Sequence, residues 1–413
     1  MIEELKKLTI KNAGFDIDDR GDCVLLSEII LEKTDEFISY NTIRRLFGLI
    51  TYVKPSQSTL NTIAKFNGYN NYAHYIKIAP HKAYWSEKEK LYSLINGEPD
   101  DIILYINSSK FKNEFELDFI ISLCRELIYL NKLELFEHVL NSNFFNYNNL
   151  NYSEILHFGN SIGALLKTNH KLKKLLLLNT NFINFVYCIY VDYSNINGYY
   201  GEWSKYVFAQ STDTQIKCFA QAILQLKNYL NGQKVSYTYF QLIDTSNFHP
   251  ILQGRIYTIQ LLSSGFCLDY LTELIEKNSK NKDESFLLDF FYEPITIAIL
   301  SKDFELMNAI INVLSNKKIN HKYYHEDCHN LYKLMVMFFL KWNNKGENTN
   351  LKFKKESYNL KFKYSYREFI GFFILIIKYQ GENKKIISNE FDEISKKINY
   401  PLLSIDYLFN YFK

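Results

Sequence analysis

Proline is scarce in this chain, with 6 residues in 413, and glycine is modest at 15. Alternating polar and apolar stretches joined by Asn-Gly or Asp-Gly turns, the signature of β-hairpins, are nearly absent. Apolar residues recur instead at helical spacing. The sequence therefore predicts an all-α protein with no sheet of more than two strands.

The six cysteines are widely separated and form no Cys-x-x-Cys pair, which argues against a disulfide framework and suits a reduced compartment. No basic segment followed by an apolar run opens the sequence, so we expect no signal peptide. The longest apolar stretch, Phe369–Ile377, is shorter than the roughly 20 residues that a bilayer span needs. These absences predict a cytoplasmic protein with no membrane partner.

Sequence motifs of catalysis are also missing. The chain has no Gly-x-Ser-x-Gly elbow, no glycine-rich phosphate loop and no clear pair of carboxylates with a fold to hold them. We therefore predict no enzyme activity, no catalytic residue and no cofactor.

Acidic residues are absent from one segment. Between Phe37 and Ser86 there is no Asp or Glu, whereas the preceding 36 residues carry ten acids. The segment holds six basic residues on a chain whose net charge is only +3: Arg44, Arg45, Lys54, Lys65, Lys77 and Lys82. Such concentrated charge is typical of a surface that meets a polyanion, and an ordinary solvated face is the alternative.

Helical spacing within this region predicts a helix-turn-helix. A first helix over 24–33 is followed by a turn at 34–39 and a short second helix over 40–47, which Ser39 would cap. A third helix over 59–66 would be capped by Ser58. A short second helix with a polar, basic outer face is what a helix-turn-helix requires.

The residue types on this helix and the following loop suit duplex DNA. Arg and Asn side chains pair with guanine and adenine edges, while hydroxyls and lysines hold phosphates. The predicted DNA-binding residues are Ser39, Tyr40, Asn41, Thr42, Arg44, Arg45, Lys54, Ser56 and Ser58.

The segments 26–30, 38–48 and 54–64, followed by Gly68-Tyr69, resemble the Xre/Cro-type helix-turn-helix. The form is divergent, with a long loop before the Pro-x-x-x-Thr-Leu helix, and the resemblance covers roughly residues 23–78. It implies a recognition helix over Tyr40–Phe47. The turn departs from the family because it lacks the usual glycine and carries Asp35 and Glu36.

The remaining chain predicts a helical array. We assign residues 1–82 to the helix-turn-helix-like domain, 83–98 to a junction beginning after Pro80-His81, and 99–413 to a repeat-like domain. Two segments, 131–140 and 302–311, echo each other and resemble the second helices of tetratricopeptide-like hairpins. An irregular α-solenoid of helical hairpins is predicted, and an irregular helical bundle is the alternative.

Aromatic residues beside two glycines mark a candidate partner-binding groove, formed by Tyr199, Tyr200 and Trp203 together with Arg255. The alternative is that these aromatics close the core and that Arg255 is paired beside a tight helix crossing at Gly254. Pro250 suits the first position of a helix, with Asn247 or His249 near its cap.

Two further segments carry residue types that can bind ligands. His321, His325, Cys328 and His329 would share one helical face, but their spacing matches no zinc finger, so we assign no metal. The basic segment 341–355 is interpreted as a solvated loop that could add phosphate contacts.

These observations predict a cytoplasmic DNA-binding transcriptional regulator whose helical domain senses a ligand or binds a peptide or protein partner. A homodimer is compatible with this interpretation. The alternative is a non-enzymatic α-helical interaction scaffold whose helix-turn-helix no longer binds DNA.

Overall fold

The computed structural model describes residues 2–108, 114–167, 174–279, 286–315, 326–343, 366–379 and 384–413. Within these ranges every regular element is a helix and no strand occurs, which confirms the all-α prediction. No helix in the described ranges is both long enough and apolar enough to cross a membrane. The chain divides into two compact units, Met1–Glu98 and Pro99–Lys413, and each is described by itself.

The first unit contains five helices, and buried residues between Leu5 and Tyr75 form a hydrophobic core within it. Helices α2 and α3 form the predicted pair, and α4 packs on both α2 and α5. Leu26, Ile43 and Ile63 are among the buried residues that join them. The helices are α1 (Ile2–Ala13), α2 (Arg20–Thr34), α3 (Tyr40–Leu46), α4 (Gln57–Phe66) and α5 (Tyr72–Asn96).

The turn between α2 and α3 is closed without glycine. Asp35 adopts the left-handed conformation with φ of 55°, and its backbone N–H donates to the Leu31 carbonyl at 2.9 Å. Asp is one of the few residues besides glycine that visits this region routinely. Asp35 therefore closes this turn in place of the glycine that is usual in the Xre/Cro pattern.

The predicted capping residue is observed at α3 but not at α4. Ser39 caps α3, as predicted, and its hydroxyl accepts the Thr42 backbone N–H at 3.2 Å. The prediction that Ser58 caps the next helix is wrong, because α4 begins two residues earlier and Ser56 accepts the Thr59 N–H at 3.1 Å. The Ser56 and Thr59 hydroxyls also lie 2.9 Å apart, which favours the earlier start.

Replacing Ser56 with Ala should lower the free energy of unfolding of the first unit by about 1 kcal/mol, because an orphan N–H at the start of α4 loses its acceptor. Ser58→Ala at the second position of the same helix should change it by about 0.5 kcal/mol or less. The change in free energy for each variant is measured from the hydrogen-exchange rates of the α4 backbone amides. Equal losses would contradict the assignment of Ser56 as the cap.

Helix α5 corrects the predicted junction. A junction after Pro80-His81 requires the helix to end near Pro80, but α5 runs from Tyr72 to Asn96 without interruption. Tyr75 is buried before the proline, and Leu91 and Ile95 are buried after it. Packing at both ends compensates for the single backbone hydrogen bond that proline removes. Residues 83–98 therefore belong to the first unit.

The described residues of the second unit are mainly helical. Its α-helices are α6 (Pro99–Ser108), α7 (Glu114–Tyr129), α8 (Leu133–Leu140), α9 (Tyr152–Leu166), α10 (Thr180–Phe182), α11 (Tyr199–Gln210), α12 (Thr214–Leu230), α13 (Pro250–Ser264), α14 (Leu268–Ser279), α15 (Phe286–Ser301), α16 (Phe304–Ser315), α17 (Glu326–Asn343), α18 (Tyr366–Tyr379), α19 (Lys384–Ile398) and α20 (Ile405–Phe409). Short 3-10 turns occur at Lys174–Leu178, Tyr193–Asn195, Thr238–Phe240 and Pro401–Leu403, and a π-helix at Ile183–Tyr187.

The two echoing segments adopt the same backbone geometry. Asn131 and Lys302 are both left-handed, with φ of 57° and 59°. The next N–H donates back to the preceding helix in each case, from Lys132 to the Leu127 carbonyl and from Asp303 to the Ala298 carbonyl. This pattern is the Schellman motif. Each turn reverses the chain so that α8 packs on α7 and α16 on α15.

Close helix packing occurs where it was predicted. His249 caps α13 and Pro250 takes its first position. Gly254 faces α15 so closely that an added Cβ would lie 1.8 Å from the Phe290 carbonyl oxygen. Helix α15 in turn packs against α13, α16 and α17. The helical hairpins are thus present, while their arrangement as a solenoid stays a prediction.

Candidate functional site

The predicted recognition helix α3 has a buried face and a polar face. Ile43 and Leu46 are buried, whereas Arg45 is exposed. Asn41 and Arg44 are half-buried, and Arg44 Nη1 donates to Asn41 Oδ1 at 3.3 Å. Of these three polar residues, Arg45 is therefore the most exposed. Asn41 and Arg44 are instead hydrogen-bonded to each other.

The other predicted DNA-binding residues flank this helix. Lys54, Ser56 and Ser58 are exposed at the start of α4, where backbone N–H groups point out of the helix end. Ser39 and Thr42 are half-buried, since they form the α3 cap. Tyr40 is held by Arg20, whose guanidinium lies 5.1 Å from the centre of the ring.

The acidic turn is partly neutralised by α4. The Glu36 carboxylate accepts the Thr62 hydroxyl at 2.5 Å and forms an ion pair with the Lys65 ammonium. The hydrogen bond from Lys65, followed by that from Thr62, lowers the pKa of Glu36. Lys65 is therefore engaged within the fold, and the Glu36 charge is compensated beside α3.

In the second unit, the predicted groove aromatics lie in the core. Tyr200 and Trp203 are buried, and the Tyr200 hydroxyl donates to the Tyr187 carbonyl at 2.7 Å. Tyr199 is half-buried and its hydroxyl donates to Asp192 Oδ2 at 2.8 Å. Helix α11 packs these rings against α12, so the structure supports the alternative that they close the core.

Arg255 is also buried, within a polar cluster that crosses three elements. Its Nη2 donates to Glu293 Oε1 at 2.6 Å and to the Tyr193 hydroxyl at 3.0 Å. The Tyr193 hydroxyl donates in turn to Glu293. Burial disfavours the guanidinium charge, but the Glu293 carboxylate and the neighbouring Tyr193 and Tyr200 together outweigh it, so the pKa of Arg255 is well above its usual value.

Next to this cluster lies a cavity of about 760 Å³. Arg255 and Tyr193 form part of its wall, and aromatic and aliphatic side chains such as Phe219 form much of the rest. Three carboxylates also line it, from Asp213, Asp289 and Asp327. Cavities of this size, mostly apolar with a few polar groups, are typical small-molecule sites.

A π-helix forms another part of the cavity wall. Residues Ile183–Tyr187 adopt this rare geometry, and Asn184 and Cys188 line the cavity. Helix α9 approaches closely, since a Cβ on Gly159 would meet the Phe185 carbonyl oxygen at 2.5 Å. Single π-turns occur frequently at functional sites.

The sequence held one signal for this site that spacing analysis missed. Glu293 stands within α15, a helix that is strongly apolar apart from Asp289 near its start, and is buried. A buried carboxylate needs a partner, so its presence indicates a buried cation. The partner Arg255 lies 38 residues away and cannot be paired with Glu293 from local patterns.

Two of the four residues in the histidine and cysteine motif lie outside the described ranges. His321 and His325 lie outside the described residues, and Cys328 Sγ donates to the Leu288 carbonyl at 2.7 Å. No group of three metal-binding side chains is found in the described ranges. Most of the basic segment 341–355, from residue 344 onward, also lies outside them.

Comparisons of the chain with protein-family models, curated proteins and solved structures find no match.

Proposed function

We propose that the chain is a transcriptional regulator whose first unit binds double-stranded DNA. The observation that carries the proposal is the exposure of Arg45 on the short helix α3. This helix is the second of the two helices in the helix-turn-helix arrangement. A recognition helix presents such side chains to base edges in the major groove.

The surroundings of α3 support phosphate contacts. Lys54 and Ser56 are exposed at the beginning of α4, and helix N-termini favour anions through their free N–H groups. The Lys65 ammonium compensates the Glu36 charge in the turn. Contacts of this kind determine the register of a protein on the duplex without specifying sequence.

A second candidate is protein docking by the same unit. Phe37 is 71% exposed in the turn, and Tyr52 and Val53 are exposed in the loop before α4. Exposed apolar side chains beside a helix-turn-helix favour a protein surface as the partner. In that case Arg45 would contribute little to any DNA binding.

The test is sequence-selective binding by the full chain to duplex fragments from its own upstream region, measured by fluorescence anisotropy. Arg45→Gln should weaken binding to the preferred fragment by roughly tenfold or more, since a bidentate base contact is worth about 1–3 kcal/mol. Lys11→Gln is the matched control, because Lys11 is an exposed basic residue on α1 of the same unit.

The control should stay within about twofold of the unmodified protein, because Lys11 lies outside the helix-turn-helix. Equal affinities for all fragments, or equal losses in both variants, would contradict base contact by Arg45. Binding of a protein partner that Phe37→Ser abolishes, without any DNA binding, would favour the docking candidate.

A further inference from the structure

Apolar side chains from several elements form much of the wall of the cavity in the second unit. Leu156 of α9, Ile216 of α12 and Leu252 of α13 all line it, and so does Ile189, which follows the π-helix. The ring of Phe219 adds further apolar surface. Such a wall favours an occupant with an apolar body, because removing apolar surface from water drives binding of this kind.

Arg255 contributes a buried donor without an acceptor to the same wall. Only 3% of the residue is exposed. Its Nε and Nη2 donate to Glu293 Oε1 at 3.2 and 2.6 Å, whereas its Nη1 has no acceptor among the described residues. Buried donors are nearly always satisfied, so Nη1 indicates a hydrogen-bond acceptor on a bound molecule.

The local pairing of Arg255 indicates what kind of acceptor this is. The guanidinium charge is already matched by Glu293, and both side chains are at most 4% exposed. A neutral oxygen therefore accepts from Nη1 without bringing a further charge into this buried pair. A hydroxyl group carries a donor of its own that needs another partner, whereas a carbonyl oxygen only accepts.

We propose that the cavity binds a small, uncharged and largely apolar molecule whose ketone, ester or amide carbonyl oxygen accepts a hydrogen bond from Arg255 Nη1. The aliphatic side chains and the Phe219 ring would pack on its body. The inference concerns the second unit alone and does not depend on DNA binding by the first.

Two uncharged probes of nearly the same shape test the acceptor. Acetophenone carries a carbonyl oxygen beside a phenyl ring, and isopropenylbenzene has a methylene group in place of that oxygen. Calorimetric titration of the full chain should show saturable 1:1 binding of acetophenone. Isopropenylbenzene should bind about tenfold more weakly, because it leaves the Arg255 N–H without an acceptor.

Arg255→Lys tests which residue donates. Lysine keeps a positive charge beside Glu293 but lacks the rigid fork of N–H groups that holds Nη1 in place. The preference for acetophenone over isopropenylbenzene should therefore fall from about tenfold to about twofold or less. A full preference in the folded variant would contradict a hydrogen bond from Arg255.

A matched pair of substitutions tests the location and does not depend on the Arg255 variant. Leu156→Trp places a larger side chain in the cavity wall, so it should weaken acetophenone binding by about tenfold. Leu242→Trp makes the same change at a residue that is 98% exposed, and it should leave binding within about twofold. Circular dichroism checks that both variants are folded.

Three results would overturn the proposal. One is equal affinity for the two probes, which would mean that Arg255 Nη1 is satisfied by water and not by the ligand. Another is equal binding of acetophenone by the two tryptophan variants, which would place the probe outside the cavity. The third is the absence of saturable acetophenone binding by the folded protein at millimolar concentration.

Discussion

Glu293→Gln is expected to lower the free energy of unfolding of the second unit by about 3–5 kcal/mol, because it leaves the buried Arg255 guanidinium without its counter-charge. Both side chains are almost fully buried, and their atoms approach to 2.6 Å. Urea-induced unfolding followed by tryptophan fluorescence measures the loss, since Trp203 is buried in the same unit.

Two controls isolate the ion pair. Glu202→Gln removes an exposed carboxylate that pairs with Lys205 at 2.8 Å, and it should cost about 1 kcal/mol or less. The double variant Arg255→Met, Glu293→Met should be more stable than the sum of the single losses implies, because no unpaired charge remains. A loss for Glu293→Gln no larger than that for Glu202→Gln would contradict the account of this pair.

Gly254→Ala is expected to destabilise the second unit by about 1–3 kcal/mol or more, because the added methyl group overlaps the backbone of α15. The new Cβ would lie 1.8 Å from the Phe290 carbonyl oxygen and 2.8 Å from its carbon. Backbone atoms cannot rotate aside as a flexible side chain can, so α13 and α15 would have to separate. The same urea titration reports the change.

Gly371→Ala in α18 is the matched control. This glycine is also within a helix, but a Cβ there would meet nothing within 4 Å. Alanine should therefore stabilise α18 by about 0.5–1 kcal/mol through its higher helix propensity. If both substitutions stabilised the protein, the close approach of α13 to α15 would be wrong.

Local features of the fold could be predicted from the sequence. The cap at Ser39, the first-turn position of Pro250 and the tight crossing at Gly254 all depend on the chemistry of one residue and its near neighbours. The start of α4 was misplaced by two residues because Ser56 and Ser58 are equally good caps as residue types. The choice between them depends on the Thr59 contact.

Tertiary features could not be predicted in the same way. Tyr200 and Trp203 have the composition of a binding surface, but packing of α11 on α12 buries them. Pro80 has the chemistry of a helix breaker, but buried residues on both sides of it keep α5 continuous. The cavity draws its walls from residues that are far apart in the chain, such as Tyr147 and Cys328. Its existence therefore depends on the completed fold.

The salt dependence of DNA binding tests the central claim most directly. Affinity of the full chain for its preferred duplex should fall linearly in a log–log plot between about 50 and 200 mM salt, with a slope of about −0.9 for each phosphate neutralised. Lys54→Gln should make that slope shallower by about 0.9 without changing the preferred fragment, because Lys54 is exposed beside the start of α4. An affinity that does not change with salt, or no duplex binding at about 50 mM salt, would contradict DNA binding by the first unit.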